Sequence, residues 1–271
     1  MKAKLQLRIQ RYGWDEAASV YENEWRQHLA PAQRALLEIS DLKPGMKVIE
    51  TASGTGLMTF PVAEAVGIEG RILATDLSGE MVKSGNLAAD KLGLSNVTFQ
   101  RMNAEALDCK NDMFDRAICA LGLMYMPDPS LALKEMKRVL RSDGLASVAV
   151  WGERRNCGWA EIFSIVDAHV NSEVCPLFFG LGSVGALTTD LKAAGFTKVE
   201  ERRIESVLSF DSSEKLLSAM IDGGAVALAA KRFDDETRKN VEGAFLESVA
   251  TFRNGNRYEI PGEFVIASGV A

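Results

Sequence analysis

Apolar runs of strand length at Lys47–Thr51, Arg71–Asp76, Val97–Met102, Arg116–Leu121 and Leu145–Trp151 alternate with helix-like periods from about residue 47 to residue 152. Little else constrains the chain so strongly. Strands that are apolar throughout must be buried on both faces, which is the pattern of a parallel sheet covered by helices. The spacing therefore predicts an α/β core. The intervening helices serve packing: a helix over residues 130–141 places Leu133, Met136, Val139 and Leu140 on one face and turns Lys134, Lys137 and Arg141 to solvent.

The first of these strands leaves through Glu50 into Thr51-Ala52-Ser53-Gly54-Thr55-Gly56. A glycine-spaced turn between a strand and a helix lets backbone approach a ligand closely, because a Cβ there would collide with it or block the turn. A dinucleotide fingerprint read from Gly54 requires glycine at position 59, where Thr59 stands, and no Gly-Lys-Ser/Thr follows to make a phosphate-binding loop of the ATPase kind. Neither NAD nor ATP is indicated.

Around the core the chain is helical and mixed. Residues 13–40 carry Trp14, Tyr21, Trp25, Leu29 and Leu36 among polar positions, and Pro31 predicts a break into two helices. Beyond the core, a helix near 158–170 and another ending at Gly195 precede a long strand, Thr197–Phe210. Asp211 and Glu214 stand at capping-box spacing, Asp234 opens a helix to about Phe252, and Glu263–Val270 is the last strand. With no repeat and no low-complexity linker, residues 1–271 are expected to form a single domain. Its parts are N-terminal lid helices (12–40), a ligand-binding core (41–152) and a C-terminal part (153–271) whose cap is mainly 155–190 and 212–255.

Composition narrows the partners. A formal net charge of −6 without a long basic run weighs against a nucleic-acid footprint, and no stretch is long and apolar enough for a membrane span. The N-terminus lacks the apolar region of a secretory signal. Cys109, Cys119, Cys157 and Cys175 show no CxxC spacing, so no metal site is expected, the thiols should be reduced, and the location should be cytoplasmic. A small organic partner is the expectation; oligomeric state is not legible.

The run Glu50, Ala52, Gly54, Gly56 resembles motif I of the class I S-adenosylmethionine-dependent methyltransferases. The resemblance continues through Ala74-Thr75-Asp76-Leu77-Ser78-Gly79-Glu80-Met81, Met102-Asn103-Ala104-Glu105-Ala106-Leu107, Phe114-Asp115-Arg116 through Gly122-Leu123-Met124-Tyr125-Met126-Pro127-Asp128, and Arg138-Val139-Leu140-Arg141. It covers roughly residues 12–152 and is closest to the ubiquinone/menaquinone-type and related small-molecule enzymes, whose Trp-Asp-x-x-Ala-x-x-Tyr opening is similar to Trp14 through Tyr21. It implies a Rossmann-like seven-stranded sheet in the order 3-2-1-4-5-7-6, strand 7 antiparallel, with a helical cap. It also implies S-adenosylmethionine as cofactor.

The residue chemistry suits those roles. Asp76 can accept hydrogen bonds from both ribose hydroxyls, Leu77 and Met81 can flank the adenine, Asn103 can accept from its amino group, and the Ala104 N–H can donate to a ring nitrogen. Glu50 can hold the methionine ammonium through water, and Ser53 to Gly56 bring backbone close. Tyr21, Glu105, Ala120 and Leu121 complete the expected cofactor set. Ala52 stands where the family pattern has glycine, and is harmless there if its φ is negative. Glu50 and Asn103 each replace an aspartate and keep its charge or its acceptor.

Trp14, Met124 and Tyr125 are expected at the substrate pocket, with Trp14 and Tyr21 on a lid whose aromatic faces can stabilise a sulfonium. His28 and His169, the only histidines, are weak candidates for a general base. No Asn-Pro-Pro-Tyr type sequence follows the fourth strand, which disfavours a nucleic-acid amino methyltransferase. The expected activity is methyl transfer by in-line displacement to a small organic metabolite, at oxygen, nitrogen or carbon. A cofactor-binding module without turnover is the alternative, and a nucleotide-dependent oxidoreductase ranks third, disfavoured by Thr59.

Overall fold

A computed structural model describes residues 3–170 and 178–271 of the chain. Cys175, and residues 171–177 of the expected cap, lie outside the described residues. Parallel strands β1 (Lys47–Thr51), β2 (Arg71–Asp76), β3 (Val97–Arg101), β4 (Phe114–Ala120) and β5 (Leu140–Trp151) form the centre of one sheet. It continues through β8 (Arg257–Val270), which runs antiparallel to β5, and then β6 (Thr197–Phe210), which is antiparallel to β8 and so shares the direction of the first five, in the order β3-β2-β1-β4-β5-β8-β6. Val48, Ile49, Ala117, Ile118 and Val148 in its middle are fully buried, as strands covered on both faces must be.

The expected strand order holds, with one strand more than predicted. β7 (Arg253–Asn254) folds back on the start of β8 across the Gly255 turn, whose φ of +62° suits glycine. β8 also begins before Glu263, the expected start, because the chain stays extended through Pro261, opposite Val207.

Helices α2 (Thr59–Val66), α3 (Gly79–Lys91) and α4 (Pro129–Val139) join the parallel strands. The Ser78 hydroxyl accepts from the Met81 N–H (3.1 Å) to start α3, and Asp128 accepts from Leu131 (2.9 Å) ahead of Pro129 to start α4. The C-terminal half adds α5 (Glu161–His169), α6 (Ala186–Ala193), α7 (Ser213–Leu217), α8 (Ala227–Ala230) and α9 (Asp235–Ser248). α7 is capped by Ser212, whose hydroxyl accepts from Lys215 (3.3 Å), and not by Asp211.

The N-terminal segment corrects the sequence reading. It forms one helix, α1 (Ala3–Ile39), that passes through Pro31 unbroken. Trp25, Leu29, Ala32 and Leu36 recur on one face and are buried, so tertiary packing outweighs the missing proline hydrogen bond. The helix is fastened along its length: Asp15 accepts from the Ser78 hydroxyl (2.6 Å), the Trp25 indole donates to the Gly223 carbonyl (2.9 Å), and Lys231 pairs with Glu16. α1 thereby crosses the carboxyl ends of the parallel strands, where ligands bind in open α/β sheets.

Candidate active site

Two cavities lie at that edge, sharing a wall. The first encloses about 700 Å³, its open mouth included. On the strand side its walls are Ala52 and Gly54 from the end of β1, Asp76, Leu77 and Met81 from β2 and α3, and Asn103 and Ala104 after β3; Ala120 and Leu121 belong to the end of β4. Across from them stand Trp14 and Tyr21 of α1 and Tyr125 of the short turn after β4. Most of the residues picked from the sequence thus meet around one space. Leu7 and Gln10 also line it and were missed, although their spacing to Trp14 and Tyr21 is that of one helix face.

The loop after β1 has the left-handed backbone that close approach requires: φ is +56° at Gly54 and +103° at Gly56. A Cβ on Gly54 would stand 3.6 Å from the Tyr21 ring, and one on Gly56 would be driven into Phe60 and Phe99. Ala52 is left-handed too, at +52°, and so is Leu121 at +61°. The expectation of a negative φ at Ala52 fails, and the family's preference for glycine there has a steric reason. Both strained residues line the cavity, as strain at binding sites does.

Asp76 is buried at the back of the cavity, its carboxylate accepting from the Gly54 N–H (2.8 Å) and the Ser78 N–H (2.8 Å). Burial raises its pKa to about 6, against the pull of those two bonds, and Asp15 raises it further. The Ser53 and Thr55 hydroxyls, on either side of Gly54 in sequence, are buried with no hydrogen-bond partner among the described residues.

The sheet order and the Asp76-braced glycine loop coincide with a sequence match: the profile of a family described as "Methyltransferase domain" fits residues 42–159. Residues 42–159 are a class I methyltransferase domain. The chain is 37% identical over 113 residues to a ubiquinone/menaquinone biosynthesis C-methyltransferase, UbiE, of Shewanella oneidensis, covering 41% of this chain and 45% of that one. The UbiE of Shewanella frigidimarina is 29% identical over 201 residues, covering 74% and 71%. The chain thus spans about half the length of the first curated relatives it matches. A putative methyltransferase from Bacillus halodurans shares the fold, with a TM-score of 0.64 at 18% identity over 88% of this chain and 97% of that one.

Within the methyltransferase domain, some of the picked residues stand behind the cavity wall. Glu50 is buried and accepts from the Thr59 hydroxyl (2.6 Å), so the residue that spoils a dinucleotide fingerprint is the one that holds the acidic residue of motif I. Burial lifts Glu50 to a pKa of about 8, against the Thr59 bond, with Asp76 adding to the rise. Ser53 and Gly56 shape the loop from outside the cavity lining. Glu105 accepts from the Asp128 N–H (2.6 Å), tying the β3 loop to the start of α4, and Met124 is packed in the core. Asn103 spends an acceptor on the Glu105 N–H (3.1 Å).

The second cavity, of about 490 Å³, lies beyond Trp14, Tyr21, Leu121 and Tyr125, which line both. The four tryptophans of the chain, Trp14, Trp25, Trp151 and Trp159, all line it, with Ile162 and Phe163 from α5, Phe178, and Met220, Gly224, Ala225 and Val226 beyond α7. Among the described residues, no carboxylate, lysine, arginine or histidine lines it. Sequence reasoning placed a cap here without seeing the aromatic box, because Trp151 and Trp159 lie beyond the family motifs.

Neither histidine reaches either cavity. His28 is buried against Phe210, ring centroids 4.2 Å apart, and burial lowers its pKa to about 4 despite Glu24. His169 is at the end of α5, its Nδ1 2.9 Å from the Ile165 carbonyl. Tyr21 is no base either: burial, then Asp76 and Glu50, hold its hydroxyl above the usual phenol range. Among the described residues, no helix is long and apolar enough to cross a membrane.

Proposed function

We propose that this chain is an S-adenosylmethionine-dependent methyltransferase acting on a small, uncharged, largely aromatic or apolar metabolite. The observation that carries the reading is the pairing of cavities: one braced by Asp76 and the Gly54 loop, the other lined by all four tryptophans, with Trp14, Tyr21 and Tyr125 between them. The first has the parts an adenosyl group needs. Asp76 retains lone pairs for ribose hydroxyls after its two backbone bonds, Leu77 and Met81 give the adenine an apolar berth, and Asn103 and Ala104 supply edge contacts. Glu50, held by Thr59, stands behind the loop, where an ammonium reached through water would favour its charged form.

The cofactor supplies a methyl group already activated on a sulfonium. The protein's remaining work is alignment and exclusion of water. Trp14 meets Tyr21 and Tyr125 edge to face at the junction, an aromatic cluster suited to a cation there, and α1 covers it. With no ionisable group but the two tyrosines lining the second cavity among the described residues, the acceptor arrives in this reading with its nucleophilic atom ready or loses its proton without a strong base. Residues 1–271 act in this reading as one unit, with 155–190 and 212–255 as the substrate cap.

Calorimetric titration of the cofactor-stripped protein tests it. S-adenosylhomocysteine should bind and NAD should not, and Asp76→Ala should weaken the binding by at least about tenfold, the worth of charge-assisted hydrogen bonds to the ribose. A folded sample that ignores adenosylhomocysteine would sink the assignment.

A further inference from the structure

The second cavity has one polar feature that no packing need explains. Trp25 uses its indole N–H on the Gly223 carbonyl (2.9 Å), so that side chain is satisfied without a ligand. Trp159 differs. It is 3% exposed, it lines the cavity, and its Nε1 is buried without a hydrogen-bond partner among the described residues. Its ring is fixed by neighbours on several sides, with centroids 4.8 Å from Trp151, 5.8 Å from Phe178 and 6.0 Å from Phe163. A buried donor that has given up water and gained nothing is costly, and tryptophan N–H groups in cores ordinarily find a partner. A phenylalanine would fill the same wall without that cost.

We infer that Trp159 Nε1–H is the specificity-determining donor of the acceptor cavity, donating to a carbonyl, ether or hydroxyl oxygen of the methyl acceptor. The substrate class is then a flat, uncharged molecule, mostly apolar, with an accepting oxygen set apart from the atom that is methylated. The many aromatic rings in the wall select the flat body, the absence of charged groups among the described lining residues selects neutrality, and Trp159 selects the oxygen and fixes the orientation. This rests on the methyltransferase reading only in naming the ligand as the acceptor.

Two probes of one skeleton isolate the hydrogen bond: 1-tetralone, a bicyclic aryl ketone, and tetralin, its parent hydrocarbon. The full chain, ¹⁵N-labelled at its indoles and saturated with S-adenosylhomocysteine, is titrated with each. Tetralone should bind about tenfold tighter than tetralin, a preference that should shrink to within about twofold in Trp159→Phe. In the wild type the Trp159 indole resonance, identified by its loss in that variant, should move with tetralone and stay still with tetralin. Retention of the preference in Trp159→Phe, a stationary Trp159 resonance while tetralone binds, or failure of both probes to bind would each overturn the inference. The resonance is read on the wild-type protein, so a variant that folds poorly does not remove the test. Calorimetry with adenosylhomocysteine on the wild type reports separately on the cofactor reading, and the probe titrations can be run without it.

Discussion

The Cβ of Ala52 fills the space that Gly122 leaves by having none. A Cβ on Gly122 would overlap it, whereas the next neighbours, the Cys119 sulfur at 3.4 Å and the Ala52 Cα at 3.7 Å, would be tolerable. Gly122 itself has an ordinary φ of −108°, so its lack of a side chain serves Ala52 and not its own backbone. The ends of β1 and β4 are matched to each other across the cavity wall.

That pairing predicts a strong thermodynamic coupling. Gly122→Ala should cost about 2 kcal/mol, as overpacking does, and Ala52→Gly alone should change stability by less than about 1 kcal/mol, relief of a left-handed alanine being offset by a freer unfolded chain. The double variant should recover most of the loss. Urea unfolding of the four proteins gives the coupling energy, expected above about 1 kcal/mol. Simple additivity would show that the clash is absorbed elsewhere.

Glu50 should make the protein lose stability as pH rises. Its pKa is raised by burial from the ordinary 4.5 to about 8, so between those values the folded state holds a proton that the unfolded chain has released. The stabilisation is complete below about 4.5 and is gone above about 8. Asp76, raised to about 6 from 3.8, adds a slope of the same sign at lower pH. Glu50→Gln keeps an acceptor for Thr59 and cannot titrate, so its urea midpoint should change less between pH 5 and pH 8 than the wild type's.

Glu263 acts with the opposite sign. The Arg203 guanidinium, at 3.0 and 2.6 Å, is the largest influence holding its pKa at about 2, and Asn156 and the Glu153 N–H add to it. This contribution is present above the ordinary 4.5 and is lost as pH falls toward 2. Arg203 also donates to the Gly182 carbonyl (2.8 Å), so one carboxylate ties the cap segments at 153–156 and 182 to β6 and β8. Removing it in Glu263→Ala strands a half-buried guanidinium and should cost about 3 kcal/mol, measured by denaturant unfolding at neutral pH.

Pro31 is retained inside α1 on the strength of its neighbours' packing. Pro31→Ala restores a backbone donor and should raise stability by about 1 kcal/mol or more, without altering adenosylhomocysteine binding. A loss of stability would mean that the helix needs the bend.

The sequence made the cofactor half of the site legible because it is built from short-range signals. Glu50, Gly54, Asp76 and Asn103 follow strand ends at spacings that topology alone brings to one edge. The second cavity is assembled from Trp14 and Trp25 on α1, Trp151 at the end of β5, and Phe178 and Met220 far along the chain. No local pattern joins them. Glu105 and Met124 were picked by motif membership, and the fold uses them to hold loops and fill the core. Pro31 misled because local rules describe backbone cost, and here burial of the flanking side chains exceeds it.

Because all four tryptophans border the second cavity, the ultraviolet emission of this protein originates almost entirely from one place. The molecule carries its own lamp at the proposed acceptor site. A metabolite library can be screened on the intensity and colour of that light, with no label and no methyl donor, whichever atom of the metabolite receives the methyl group.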